Sequence, residues 1–589
     1  MKLLKDLTVS RKELVDWDNA LQWSKNGTLY FNTSPDITIG QPLYQKDVER
    51  NAKSLFHVAE YPLVLDNYME YETATTNTFL NTQPMSFIRT CKPSRSGDMQ
   101  YLAVLSNNFN ISIHKDKELV ATLDQPGTPP TQRCYHAMEW SPNDNIIVAG
   151  NEIGQLTFFQ IDGITNAILN VATIQLEACE QQWITHIRWM GNRIMAGLSD
   201  NSVWYIDDIQ SRNAIKLTGP SRFKIFDMAF VSDQFAAVSS SSCLRGFDLE
   251  TGNETVTDLP VGHNFYLVPM RDTDSVSIIS NLGLAYVVDL KLTSPTLTPN
   301  QIIRPHLEAK YKKWNDVWNE LGKYETTLNI NGVALSPDGY SLSIIYDIER
   351  VSLKYIIPSQ RHYSIMFVPL CNKWKISNDA CGMAWYQTYT IYKTAGLPFS
   401  NDDDAISDDD IKQSFDTDME FSDYLSKYFE DPRLSQLRFN CFIDSSDDRC
   451  VNIFRQLILK YAMAKKDTLS NPIDIACIES LAKVLGTSVD ISSEETRNLQ
   501  ISGDYITQTF DFNEGTADLI TSKEGNSWKR CSVTLLPLLS TDLSKCPVTG
   551  NRVINIANDK RNNYGWFTKT LLDICDKRSI YSGISMNAM

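Results

Sequence analysis

The chain has 589 residues, a net charge of −16 and a hydrophobic fraction of 42%. Its length calls for more than one domain, and its hydrophobic content is ordinary for chains that fold around packed cores. The acidic balance excludes a chain that coats a nucleic-acid backbone on its own, a task that needs clustered Lys and Arg.

No window approaches the ~20 uninterrupted apolar residues of a membrane span. Lys5 and Asp6 interrupt the only apolar run at the N-terminus, so no secretion signal is expected. The twelve cysteines are dispersed and form no CxxC, which fits a reducing compartment better than a disulfide framework.

A strand–turn–strand phrase recurs along the first part of the chain. Its clearest copies are His136-Ala-Met-Glu-Trp140-Ser-Pro followed by Ile146-Ile-Val-Ala-Gly150, and Gly332-Val-Ala-Leu-Ser336-Pro-Asp-Gly followed by Ser341-Leu-Ser-Ile-Ile-Tyr346. Recurrence at roughly 40–50 residues is the mark of β-propeller blades. Seven stretches fit in chain order. They centre on Trp23 and Phe31; Leu105 and Ile113; Trp140 and Phe158; Trp189 and Tyr205; Phe230 and Phe247; Val268 and Val287; and Leu335 with a closing run at 351–356. Each is a set of short β-rich runs separated by turn residues. The Trp-Asp dipeptide of WD repeats occurs only at Trp17-Asp18, so the repeats are degenerate.

Two insertions are expected to interrupt the rhythm, at about 33–81 and 292–324. The second places Leu307, Tyr311, Trp314, Trp318 and Leu321 at helical spacing on one face. That stripe either packs on the rim of the disc or grips a partner, and the two tryptophans make Trp314 and Trp318 interface candidates.

The rhythm stops near Pro369. A helix, or a strand followed by a helix, is expected over 380–392. An acidic tract at 401–410 then reads as a solvated linker. Beyond it the apolar period becomes helical, with helices expected over 418–429, 451–462, 472–485 and 566–575 and strands over 532–536 and 552–556. Asn471 before Pro472 supplies an N-cap with Pro at the first helical position, and Gly486 a stop. The expected division is a seven-bladed propeller over 1–370, a connector over 371–417 and an α+β domain over 418–589.

The chain carries no GxGxxG after a strand, no GxxxxGK[ST], no HExxH, no GxSxG and no kinase signature set. His136 and His186 read as blade histidines, and Asp227 and Asp338 as blade turn or strand residues. All seven histidines lie at or before His362, so a Cys/His zinc module in the last third is excluded by ligand type. No catalytic residue, cofactor or metal is expected.

Three C-terminal pieces carry a resemblance: Trp528-Lys-Arg-Cys531-Ser-Val-Thr-Leu-Leu-Pro537, Lys545-Cys546-Pro547-Val-Thr-Gly550-Asn-Arg552, and Asn563-Tyr-Gly-Trp566-Phe567. With Leu335-Ser-Pro-Asp-Gly-Tyr340, Tyr346-Asp-Ile-Glu-Arg-Val351 and Ala384-Trp-Tyr-Gln-Thr-Tyr389, they resemble the τB propeller subunits of general transcription factor TFIIIC. The resemblance implies a propeller followed by an α/β domain that pairs with a larger propeller subunit. It implies other TFIIIC subunits as further partners, and a contact with TFIIIB and the TATA-binding protein. It also implies nuclear localisation, and DNA reached only through the complex. Trp528, Arg530, Trp566 and Phe567, inside the resembling stretch, join Trp314 and Trp318 as partner-interface candidates. Animal members carry a zinc-finger-like module on paired cysteines here. Cys531 and Cys546 remain in this chain without the neighbouring ligands, so zinc is not carried over.

The function expected is a non-enzymatic scaffold that supports B-box recognition and polymerase III transcription. Its rivals are an acetyltransferase-type activity within the same complex and a propeller scaffold of another assembly.

Overall fold

The computed structural model describes residues 6–11, 19–32, 37–44, 54–61, 63, 87–94, 101–115, 118–123, 129–142, 146–162, 165–176, 182–320, 326–350, 361–376, 382–398, 407–443, 448–489, 494–546, 548–557 and 559–588. The chain divides into two compact units. The first holds Met1–Trp374 and Gln387–Phe399, the second Lys375–Tyr386 and Ser400–Met589.

The first unit is a β-propeller of seven four-stranded antiparallel sheets. Blades 2 to 6 are plain meanders in chain order. Their second strands are almost wholly buried, as in Tyr101–Ser106 and Phe235–Ser240, while outer strands such as Ile168–Gln175 and Glu254–Asp258 face solvent on one side. Burial on both faces explains why the inner runs read as continuous apolar stretches rather than alternations. Adjacent blades approach closely. A Cβ on Gly150 would lie 2.6 Å from Cγ2 of Ile184 on the next blade, so only glycine fits there.

Five innermost strands carry the same irregularity. The ladder skips Arg89, His136, Thr185 and Phe226, each the second residue of its strand, and Asn331 midway along Thr326–Leu335. A β-bulge re-aims the side chain it frees. In blades 2 to 5 it lifts one residue out of the ladder at the start of the inner strand, and in blade 7 one from the middle of it.

The ring closes through the N-terminus. Leu7–Arg11 pairs antiparallel with Arg361–Pro369, from Leu7↔Ile365 to Arg11↔Arg361, as the outer strand of blade 7. This leaves no unpaired strand where the circle begins and ends.

Three expectations for this unit need correction. The segment at 33–81 is in part blade 1 itself, whose third and fourth strands are Ile37–Pro42 and Phe56–Tyr61. Their mixed exposure hid the pattern, since an outer strand lacks the apolar run of an inner one. The third strand of blade 7 is Arg361–Pro369, and the run at 351–356 lies outside the described residues. Part of the expected connector belongs to the propeller. Trp374 Nε1 donates to Asp338 Oδ2 at 3.2 Å, Gln387 Nε2 to the Gly27 carbonyl at 2.8 Å and Tyr392 Oη to the Tyr340 carbonyl at 2.8 Å. Gln387 and Tyr392 lie on helix α2, Gly382–Ala395, which resolves the helix-or-strand alternative.

Helix α1, Ile303–Glu320, joins blades 6 and 7. Asn300 caps it, its Oδ1 accepting from the N–H groups of Ile302 at 2.9 Å and Ile303 at 2.8 Å. Leu307 is buried and Tyr311 packs on the core of blades 6 and 7, so this half of the stripe covers the rim.

The second unit packs α3 (Asp408–Ser414), α4 (Phe421–Glu430), α5 (Pro432–Ile443), α6 (Arg449–Ala464), α7 (Pro472–Val484) and α8 (Trp566–Cys575) with three small sheets around one core. The Asn471 cap forms, with Oδ1 accepting from Ile473 N–H at 2.8 Å, and Gly486 ends the helix at φ +66°. The acidic tract is not all linker. Ser407 caps α3, and Asp408, Asp409 and Asp410 occupy its first turn, where the helix dipole favours negative charge. Nor is 532–536 a strand. Leu535 sits at φ +58° in a buried turn closed by Cys531 N–H on the Leu536 carbonyl at 2.7 Å. The apolar run there reports burial, which strand and turn can share.

Candidate partner interface

Where a propeller has chemistry, it is often at the axis, so the inner strands come first. Four charged side chains on consecutive inner strands form a chain. Lys92 Nζ lies 2.6 Å from Glu139 Oε2, Glu139 lies 3.9 Å from Arg188, and Arg188 Nη2 lies 2.5 Å from Asp227 Oδ1. Asp227 Oδ2 continues to blade 6 by accepting from Leu267 N–H at 2.9 Å. Arg188 Nε donates to the Met228 carbonyl at 2.7 Å. Charges paired this fully bind blade to blade, and neither sign is left to hold a substrate.

The six interface candidates divide sharply. Trp314 and Trp318 lie on α1, but their side chains fall outside the described residues. Trp528 is half-buried on the strand Ser527–Lys529, its Nε1 donating to Gln508 Oε1 while its ring packs on the core. Arg530 is buried, and Nη2 donates to the Glu514 carbonyl at 3.0 Å. Burial pushes its pKa down to about 10. Trp566 opens α8 with its ring partly exposed and Nε1 donating to the Thr468 carbonyl at 3.3 Å. Phe567 is a correction. It has 0% of its surface exposed and stacks on Phe421 at 5.0 Å, so it is a core residue and no partner can reach it. In a helix's first turn, side chains one residue apart point about 100° away from each other, so Trp566 faces out and Phe567 in.

The start of α8 depends on a buried acid. Asp474 Oδ2 accepts from Phe567 N–H at 3.2 Å and Oδ1 from Thr568 N–H at 3.0 Å. A Cβ on Gly565, the N-cap, would overlap Asp474 Oδ2.

A residue that the motif reading missed is the most exposed apolar side chain among the described residues of this unit. Tyr505 is 94% exposed at the tip of the hairpin Leu499–Ser502/Thr507–Phe510. The tip is pinned by Asp504, whose Oδ2 accepts from Thr541 N–H at 2.7 Å and Oγ1 at 2.8 Å and from Ser540 Oγ at 3.1 Å; Arg561 pairs with Oδ1. These bonds, the Thr541 backbone first, hold the Asp504 carboxyl well below the usual range. The Ser502-Gly503-Asp504 turn signal was the available clue.

The cysteines do not make a metal site. Cys477, Cys531, Cys546 and Cys575 are all fully buried. Cys546 Sγ is 3.5 Å from Ser582 Oγ and accepts from Thr549 N–H at 3.5 Å. Burial pushes the Cys477 and Cys575 thiols well up, away from the thiolate zinc requires. Among the described residues no three His, Cys, Asp or Glu side chains are placed to share an ion.

Against this geometry, the comparisons are specific. Residues 491–586 match the family model described as "Putative zinc-finger of transcription factor IIIC complex". The chain is also 39% identical over 602 aligned positions to the transcription factor tau 60 kDa subunit of Saccharomyces cerevisiae (strain ATCC 204508 / S288c), with 100% of both chains covered. The chain belongs to this TFIIIC subunit family. Its member of the zinc-finger model is thus a fold whose cysteines are core residues, and the buried thiols do not fit the ion in that model's description. Among solved structures, a chain of a mitotic checkpoint complex crystal structure aligns over 62% of this chain and 92% of its own, at 14% identity and a TM-score of 0.40.

Proposed function

We propose that this chain is a non-enzymatic scaffold subunit of the τB half of TFIIIC, working in the nucleus. It pairs with the larger propeller subunit of τB. Through the assembled complex it supports B-box recognition and the recruitment of TFIIIB and the TATA-binding protein to genes of RNA polymerase III. The single observation carrying this reading is the full-length identity to a curated TFIIIC subunit. The physical support is consistent with it. The axial charges are spent on one another, and two units with pinned loops offer surfaces that cost little ordering on binding.

DNA is reached through the partners, in keeping with the net charge of −16. The test is co-expression of the full chain with the other TFIIIC subunits, followed by size-exclusion chromatography. Co-elution with the larger propeller subunit at equal stoichiometry supports the reading, and elution of this chain alone defeats it. A calorimetric titration with acetyl-CoA addresses the enzymatic rival, and saturable heat would favour it.

A further inference from the structure

The outermost strand of a propeller blade is a sheet edge. Its free side presents a row of backbone N–H and C=O groups with which another chain can pair. Proteins blunt such edges with a charged side chain, a proline, a very short strand or a bulge. Six of the seven blades here carry a charge or a proline on that strand. Blade 1 ends on Phe56–Tyr61 with Glu60, blade 2 on Glu118–Thr122 with Glu118, blade 4 on Ala214–Thr218 with Lys216, and blade 5 on Glu254–Asp258 with an acid at each end. Blade 6 ends on the two residues Thr298–Pro299, and blade 7 on Leu7–Arg11 with its terminal arginine.

Blade 3 departs from the pattern. Its outer strand, Ile168–Gln175, reads Ile-Leu-Asn-Val-Ala-Thr-Ile-Gln, eight residues without a charge, a proline or a glycine. Leu169 is 60% exposed and Val171 45%. Blades 2, 4 and 5 expose one large apolar side chain each, Leu119, Ile215 and Val256, on strands that also carry charge. Val171 bulges out of the ladder between Phe158 and Phe159. Blades 2 and 4 have the same bulge, at Val120 and Leu217, and a charge besides, so a bulge is not the whole of the protection this ring uses. The inner side of the strand is laddered from Gln155↔Gln175 to Ile161↔Ile168. Among the described residues no strand, bridge or backbone hydrogen bond reaches its outer side. Uncharged, proline-free runs of high β-propensity are the segments that pair most readily with other strands.

We propose that the outer edge of blade 3 is a β-augmentation site, which takes an extended segment of a different polypeptide as a fifth strand. The occupant follows from the edge. An extended backbone matches a row of N–H and C=O groups spaced along a strand, and it supplies the binding energy through main-chain hydrogen bonds. Eight uncharged residues favour an uncharged strand of β-branched or aromatic side chains opposite them, with Leu169 and Val171 as the side-chain contacts that select it. A second copy of this chain would bring its own net charge of −16 to the same line, and like charge of that size keeps copies apart. The site goes beyond the membership of a complex proposed above and is testable without it, on the purified chain alone.

The test is selection of random peptides from a display library on the full-length chain, with hydrogen exchange of the free and peptide-bound chain as a second readout. The expected result is enrichment of peptides that alternate β-branched or aromatic residues and lack proline. Their binding slows exchange of the amides within 168–175 about tenfold or more. In L169K/V171K, which gives this edge the charge that other blades carry, peptide affinity falls about tenfold, while Ile215→Lys on blade 4 leaves it unchanged. All three side chains are exposed, so both variants keep the parent melting temperature. Failure to enrich any peptide, protection that falls outside 168–175, or equal binding to L169K/V171K and the parent overturns the proposal. So does protection already present in the free chain, which in a monomer assigns the edge to another segment of the same chain and in a dimer to a second copy.

Discussion

Asp6 and Lys310 meet at 2.5 Å although 304 residues separate them. Tyr346 Oη adds a 2.7 Å bond to the same carboxylate. The pair joins the residue before the closing strand to α1, and Tyr346 belongs to the second strand of blade 7. One small cluster thus ties the start of the chain to the two elements that complete the ring.

The ring should therefore loosen at this point first. Asp6→Ala leaves the largely buried Lys310 ammonium without its acid and is expected to cost about 2 kcal/mol. Deleting residues 1–11 is expected to do more, because it bares the edge of Arg361–Pro369 to other chains. Thermal melting and light scattering check both. A deletion variant as stable and monomeric as the parent would show that closure does not rest on this strand.

The axial charge chain makes a different prediction. Glu139→Gln leaves Lys92 and Arg188 facing an amide, at an expected cost of about 3 kcal/mol. Replacing both Lys92 and Glu139 with apolar residues of similar volume is expected to cost much less than the two single changes added together. A double-mutant cycle in urea reads the coupling, and additive costs would mean that the pair is solvated and idle.

How much of this was legible beforehand follows from where the information lies. Seven blades could be read because each inner run, such as Ile146–Asn151, is apolar on both faces and bounded by turn residues. The outer strands of blade 1 could not, because Phe56–Tyr61 fully buries only Phe56 and its partner register is set by the strand beside it. The charges Glu139, Arg188 and Asp227 each sit inside an apolar run, which marks them as unusual, but only the ring places them side by side and next to Lys92. Phe567 and Trp566 are neighbours in one motif with opposite fates, decided by which face of α8 meets Phe421. Asp6 precedes the closing strand and Lys310 lies midway along α1, with no local pattern to join them.

Gly565 should tolerate no side chain. Gly565→Ala forces Asp474 off the N–H groups of Phe567 and Thr568 and leaves a buried carboxylate without its donors. The expected loss is about 3 kcal/mol or failure of the second unit to fold. Asp474→Asn, which keeps the shape and weakens the cap, should cost less. Circular dichroism melts of the full chain separate the two, and a Gly565→Ala chain melting with the parent would remove Asp474 from its capping role.

Acid should act on the two units in opposite directions. In the propeller, burial pushes the pKa values of His114 and His136 from 6.5 down to about 4. The unfolded chain binds these protons first, so the stabilisation present above pH 6.5 is lost as the pH falls towards 4. In the second unit, burial pushes the Asp576 carboxyl from 3.8 up to about 6. There the folded state holds the proton, so stability is greatest below pH 3.8 and declines as the pH rises through 6, by about 3 kcal/mol in all. His114→Gln is expected to flatten the acid loss of the propeller. Asp576→Asn is expected to stabilise the second unit at pH 7 while changing little at pH 4. Urea denaturation of the full chain and both variants between pH 4 and 7, followed by hydrogen exchange of peptides from each unit, measures the two slopes separately. If both units lose stability together on acidification, Asp576 does not carry the raised affinity for a proton that its burial implies.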